Sequence, residues 1–271
     1  MRDYDIIALF CHLDDQCKLR LISDSRQEMS QSEVMLAALI AARVFGGNLR
    51  KACQFLKEHG YCPRMLSESR FNRRLHMIPE ELWTHVMRGF CPEEVESKYI
   101  IDSFPVPTCR MVRKNRVHLF YGGHFLGYSA SHKMWFSGLK VHLLITASAH
   151  PVAMIISPGS EHDLTGLKLI DTPLPKESLL YGDKAYTDYA WEENLLQEKG
   201  IKLVAERKSN SKRPHPKEIE KDRRKIRKNI ETAISGIVRL MPRWIQAVTE
   251  RGFELKLTLF VIAFASMQLA S

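Results

Sequence analysis

The chain has 271 residues, 45% of them hydrophobic, which is enough for one large domain or two modest ones with real cores and excludes a disordered or collagen-like polymer. Forty Lys and Arg against 31 Asp and Glu give a formal charge of +9, an excess that points to a polyanionic partner, nucleic acid first. Residues 1–97 hold 13 basic and 14 acidic side chains and residues 98–271 hold 27 and 17, so the excess belongs to the second part.

The start, Met1-Arg2-Asp3-Tyr4-Asp5, is not a basic region leading into an apolar run, so the expectation is a cytoplasmic, nucleoid-associated protein with no membrane role. The most apolar stretch, 255–270, is interrupted by Lys256 and Gln268 and is expected to be a buried terminal helix. Six cysteines without a C-x-x-C pair suggest ordinary buried thiols.

Up to about residue 97 the hydrophobic rhythm is helical. Residues 33–45 are apolar nearly all round, as in a buried helix; 49–59 follow; after a break at 60–63, a segment opened by Ser67 runs to about Gly89. This is a small helical domain, 1–97. Its middle is basic, with Arg70, Arg73 and Arg74 clustered on one helix, and a helix-turn-helix contact with DNA and plain packing are both open readings.

After Lys98 the rhythm becomes that of strands. Residues 99–104, 138–147 and 152–157 read as an antiparallel meander; a helix at 163–169 leads to a fourth strand at 178–183; a helix at 188–199 ends at Gly200 and a fifth strand spans 201–206. A long helix follows Pro216. The order predicts a second domain, 98–271, with a mixed five-stranded α/β sheet covered by helices on both faces.

Two aspartates stand out. Asp102 ends the apolar strand Tyr99-Ile100-Ile101, where a carboxylate needs a partner such as a metal ion, and Asp183 repeats the pattern after Leu179-Leu180-Tyr181-Gly182. One such Asp is usually a turn or cap residue; two on separate strands suit a hard divalent cation. Two-metal cleavage of a phosphodiester commonly needs a third acid. Glu218, Glu220 and Asp222 have a sufficient reason to sit in the first turns of the long helix, whereas Glu231 lies mid-helix beside the stripe Ile226, Ile230, Ile234 and Ile237; a surface pair with Arg227 is its alternative role.

Asp102 within Y-I-I-D-S-F-P-V-P, Asp183 within L-L-Y-G-D-K-A-Y and Glu231 within R-K-N-I-E-T-A-I-S resemble the three catalytic blocks of insertion-sequence DDE transposases, nearest the nine-eighty-two family. The blocks S-E-S-R-F-N-R-R-L (67–75), W-F-S-G-L-K-V-H-L (135–143) and G-S-E-H-D (159–163) extend the likeness over most of the chain. The resemblance implies a ribonuclease-H-like catalytic domain in which Asp102, Asp183 and Glu231 hold Mg²⁺ or Mn²⁺, with Asp102 bridging two ions. It also implies a transposase that binds mobile-element ends, cleaves DNA and transfers strands to target DNA as a synaptic homodimer. A nuclease of the same fold and a noncatalytic, decayed or domesticated DNA-binding copy are the alternatives.

Two basic runs flank these acids. Residues 207–228 hold eleven basic and three acidic side chains, among them Arg223, Arg224 and Arg227, and Arg110, Arg113, Lys114 and Arg116 crowd together after Asp102. Both are expected to contact DNA phosphates, with Tyr121, Phe125, Tyr128 and Trp135 available for stacking. His118, His124, His132 and His142 lack tight ligand spacing for zinc, and His162-Asp163 suits either a helix cap or the rim of the metal site.

Overall fold

A computed structural model describes residues 3–18, 28–92, 96–130, 133–170 and 174–270. The chain packs as two compact units, 1–91 with 236–271, and 92–235.

The first unit is helical: α1 (Asp3–Lys18), α2 (Gln31–Val44), α3 (Leu49–Glu58), α4 (Glu68–His76), α5 (Glu80–Gly89) and α9 (Glu250–Ser266). Helix α2 starts where the Ser30 hydroxyl accepts the Glu33 N–H while the Glu33 carboxylate takes the Ser30 N–H, a capping box. Val34 to Ala42 are buried, as expected of a helix apolar on every side, and α1, α3, α4 and α9 surround it. The single segment read over 67–89 is two helices, because the proline at 79 cannot continue α4 and instead caps α5. The run Glu250–Leu269 is long and apolar enough to cross a bilayer, yet α9 lies against α2 and α5 with Phe253, Leu257 and Phe260 buried. By packing, residues 236–271 therefore join the helical unit, although the sequence places them after the sheet. Of the cysteines, Cys17 and Cys62 are buried and Cys11 is exposed, contrary to the expectation of uniform burial.

The second unit carries β1 (Lys98–Pro107), β2 (Leu126–Ser129), β3 (Met134–Thr146), β4 (Pro151–Pro158), α6 (Asp163–Leu169), β5 (Leu179–Gly182), α7 (Tyr189–Lys199), β6 (Lys202–Ala205) and most of α8 (Lys217–Leu240). Strand β3 pairs antiparallel with β1 on one side and β4 on the other, and β5 and β6 add in parallel beyond β1. The sheet is mixed and ribonuclease-H-like, with all five expected strands present. A sixth, β2, went unread because its four residues contain Gly127; it pairs with the front of β3. Gly127 is there for space, since a Cβ would lie 2.1 Å from the Gly159 carbonyl oxygen. Helix α6 covers the face of β3 that carries His142, against which Gly166 packs; α7 packs on β6. Helix α8 runs along the face that carries Asp102, tied by Asn229 Nδ2 to the Ala147 carbonyl at 2.6 Å.

Candidate active site

The parallel pairing sets the geometry. Ile100 lies opposite Tyr181, and Gly182 opposite Ala205. One or two steps further along, Asp183 and Glu206 leave the carboxyl ends of β5 and β6, whereas Asp102, expected to end its strand, lies inside β1 just past its last residue paired to β5. The three strands are adjacent and spaced about 4.8 Å apart. The Glu206 N–H donates to the Gly182 carbonyl at 3.1 Å, locking that last step. Open parallel sheets place their reactive groups at such strand ends.

Asp102 and Asp183 line one pocket with Ile100, Gly182, Arg223 and Arg227. The Asp102 carboxylate accepts the Ser103 N–H at 2.8 Å, and that of Asp183 accepts the Ala185 N–H at 2.7 Å, so Asp183 caps a 3₁₀ turn (Lys184–Tyr186) as well as facing the pocket. Burial pushes the Asp102 carboxyl up to about 6, opposed by the Ser103 N–H and reinforced by the charge of Asp183; Arg227 pulls it down and Asp163 pushes it up. Asp183 is also raised, by burial first, then by Asp163 and Glu206, against Ala185 N–H and Arg227. Two desolvated carboxylates repelling each other are a pair in want of a cation.

Glu231 is not among the residues that line this pocket. It lies one helical turn beyond Arg227 on α8, 61% exposed, with Arg227 Nε at 3.3 Å from its carboxylate. Arg227 also reaches Glu206 at 3.2 Å, so one guanidinium links Glu231 to the strand-end acids. Arg223, only 5% exposed, clamps Glu206 and Glu220 at 3.0 Å each. Among the described residues no group of three His, Cys, Asp or Glu is arranged to hold a metal ion. The donor set fits a hard divalent cation in two oxygens, those of Asp102 and Asp183.

On the other face, Asp163 at the start of α6 accepts from Ser103 Oγ at 2.6 Å and Lys140 Nζ at 3.2 Å. His162 occupies the cap position of α6 without a side-chain cap bond. His142 is fully buried, with Nε2 on Ser157 Oγ at 2.9 Å, and burial brings its imidazole down to about 4, so it is neutral. Of the histidines weighed for zinc, His132 lies outside the described residues.

The remaining basic residues divide into bound and exposed. Arg70 pairs with Glu28 at 3.0 Å and Arg74 donates to the Met29 carbonyl, while Arg73 is exposed. Arg110, Arg113, Lys114 and Arg116, on and beside a 3₁₀ turn (Met111–Arg116), are all exposed, as is Arg224. Sequence reasoning missed Glu206, although the signal was present: like Asp183, it follows an apolar strand directly. It left the setting of Asp163 open, because nothing local shows that Ser103 and Lys140 converge on it.

No curated protein and no solved structure matches the chain. The family model described as "Transposase DDE domain" matches residues 93–264. That span is well over half of the sequence and takes in the whole sheet with its strand-end acids, and on this match the chain belongs to the DDE transposase domain family.

Proposed function

We propose that the protein is an insertion-sequence transposase, akin to the nine-eighty-two family, that binds mobile-element ends, cuts DNA and joins the freed 3′ hydroxyl to target DNA. The observation that carries this reading is the meeting of Asp102 and Asp183, from two parallel strands, in one pocket where burial raises both carboxyls and the charge of Asp183 adds to the rise at Asp102.

Asp102, Asp183 and Glu231 would hold Mg²⁺ or Mn²⁺, which when bound supplies activation of the attacking oxygen and stabilisation of the leaving one. Glu231 takes part by giving up its contact with Arg227, a 3.3 Å pair exposed enough to exchange at little cost. Arg227, released from Glu231, stays beside the pocket as a charge for the scissile phosphate. Arg110, Arg113, Lys114, Arg116 and Arg224 hold the DNA backbone, with Arg73 contributing from α4. Two element ends have to meet, and a synaptic homodimer provides for that.

A specific observation favours a second reading. The exposed position of Glu231 and its pairing with Arg227 also suit a noncatalytic DNA-binding copy of the element protein. Both readings meet one experiment. The purified protein is given a plasmid bearing the inverted repeats that bracket its reading frame, with Mg²⁺ or Mn²⁺, alongside Asp102→Asn, Asp183→Asn and Glu231→Gln. The expected result is 3′-end cleavage and joined products in the parent, reduced at least a thousandfold in each variant. DNA binding without cutting in the parent establishes the second reading, and cutting that survives all three substitutions removes the site.

A further inference from the structure

Residues 103–160 contain no Asp or Glu, while Arg110, Arg113, Lys114, Arg116, Lys133 and Lys140 all fall inside them. This stretch builds the outer half of β1, the basic 3₁₀ turn, β2, β3 and β4, so that part of the sheet presents cations with no carboxylate of its own. Among the described residues of the sheet unit, the exposed aromatic rings are Tyr121, Tyr128 and Trp135, at 64%, 51% and 55% exposure, and every one lies in the same stretch. Lys140 is held by Asp163, but Arg110, Arg113, Lys114 and Arg116 are exposed, and large aromatics left in water in the same stretch as exposed cations are the composition of a single-strand nucleic-acid surface.

The local structure makes two of these rings a fixed platform. Tyr128 and Trp135 are register partners across β2 and β3, packed edge to face with centroids 5.4 Å apart. Behind them the ribbon is pinned, with Phe136 buried and Gly127 pressed on the Gly159 carbonyl, so the rings lose little freedom when a ligand arrives. Trp135 lies eight residues along β3 from Leu143, the partner of Asp102, a path of about 26 Å at roughly 3.3 Å per residue.

We propose that the Tyr128–Trp135 ribbon, with the Arg110–Arg116 cations, is a stacking site for unpaired nucleotides of the DNA substrate. The inference rests on the DNA-handling function proposed above and deepens it. A paired duplex buries its base faces, so exposed rings gain from DNA only where bases are frayed, flipped or single-stranded. A second copy of the chain is a poor occupant, because a symmetric contact would set this acid-free stretch against itself, cation against cation.

The test uses the full-length protein, fluorescein-labelled oligo(dT) of 15 nucleotides and a blunt 15-base-pair duplex, read by anisotropy at two salt concentrations. Trp135→Ala is expected to weaken oligo(dT) binding about tenfold while duplex binding stays within twofold. Trp135→Phe, which keeps a ring and serves as the folding control, retains most of the affinity. Arg113→Gln with Lys114→Gln lowers the salt dependence for both probes. Unchanged oligo(dT) binding by Trp135→Ala, or equal loss on both probes, overturns the stacking site. So does a Trp135-dependent self-association, or Trp135-dependent binding to phosphatidylglycerol vesicles without an effect on oligo(dT). If the ribbon fails this test while Asp102-dependent cutting persists, the stacking site alone is lost; if cutting fails while the ribbon binds oligo(dT), the catalytic reading alone is lost.

Discussion

Replacing Asp102 by Asn is expected to make the metal-free protein more stable and catalytically inert. In the folded chain the Asp102 carboxyl titrates near 6 against an ordinary 3.8, chiefly through burial, with Asp183 and Asp163 adding repulsion and Arg227 and the Ser103 N–H only partly offsetting it. A raised carboxyl means that the folded state binds the proton more tightly than the unfolded chain. Folding is therefore unpenalised below about 4, loses stability as pH rises from 4 to 6, and carries the full cost above 6. About two pH units at 1.36 kcal/mol each make that cost on the order of 3 kcal/mol at neutral pH. Asparagine is isosteric, still accepts the Ser103 N–H through Oδ1 and never ionises. Urea unfolding in EDTA should show Asp102→Asn ahead of the parent by about 2–3 kcal/mol at pH 7.5, with the difference vanishing by pH 4. Carboxylates remote from the pocket are common to the two proteins and cancel in the difference, while Asp183, relieved of the Asp102 charge, adds to it in the same direction. An advantage that is absent at pH 7.5, or that does not change with pH, would refute the electrostatic account of this pocket. Added Mg²⁺ is expected to stabilise the parent and leave the variant unmoved.

Three further outcomes follow from the packing. Gly166→Ala places a Cβ 2.3 Å from Nδ1 of the fully buried His142, so urea midpoints should fall by the equivalent of about 1–3 kcal/mol despite alanine's helix preference, and the loss should largely disappear in a His142→Ala background. Arg223→Met strips Glu206 and Glu220 of a buried shared partner, which should cost about 2 kcal/mol with little dependence on salt; Arg223→Lys, lacking the fork, should not restore it. Ser30→Ala removes one half of the α2 capping box and should lower stability by about 1 kcal/mol in the same assay.

The elements of the sheet were legible because each carried its own punctuation. Helix α7 runs from Asp188, whose side chain accepts the Trp191 N–H, to Gly200 in the left-handed conformation, and both ends are written in the sequence. Helix α6 also matches its expected span, although His162 makes no side-chain cap bond and the extended Ile170, not a glycine, follows it. Strand β2 was illegible because a four-residue strand with a glycine has no period to read; it exists only because β3 overruns its other partners and offers a free edge. Asp102 and Asp183 were legible as charges where burial was expected. The surroundings of Glu231 were not, because whether an exposed helical acid turns to its own arginine or to a strand 48 residues earlier depends on how α8 lies on the sheet, and no periodicity encodes that. Arg70 and Arg74 show the same limit: their spacing on α4 was visible, but their partners, Glu28 and the Met29 carbonyl, come from the segment before α2.

Three acids stand close together on three adjacent parallel strands, Asp102 within β1 and Asp183 and Glu206 just past β5 and β6, and their partners set Glu206 apart from the two aspartates. Glu206 is answered by two guanidiniums, Arg223 at 3.0 Å and Arg227 at 3.2 Å, so its charge is spent on holding α8 to the sheet. Asp102 and Asp183 each receive only a neighbouring backbone N–H and feel Arg227 from a distance, and both are left with raised carboxyls. A protein built for stability alone would have placed uncharged side chains there, since an ionised Asp102 in that pocket costs several times what a surface ion pair returns. The charge that cancels this cost has to be one that both carboxylates reach at once, and Arg227, already shared by Glu206 and Glu231, is not free to supply it. A small cation entering between Asp102 and Asp183 would relieve the repulsion, and by lowering the demand on Arg227 it would loosen Glu231 at the same moment, coupling the third acid to the arrival of the metal.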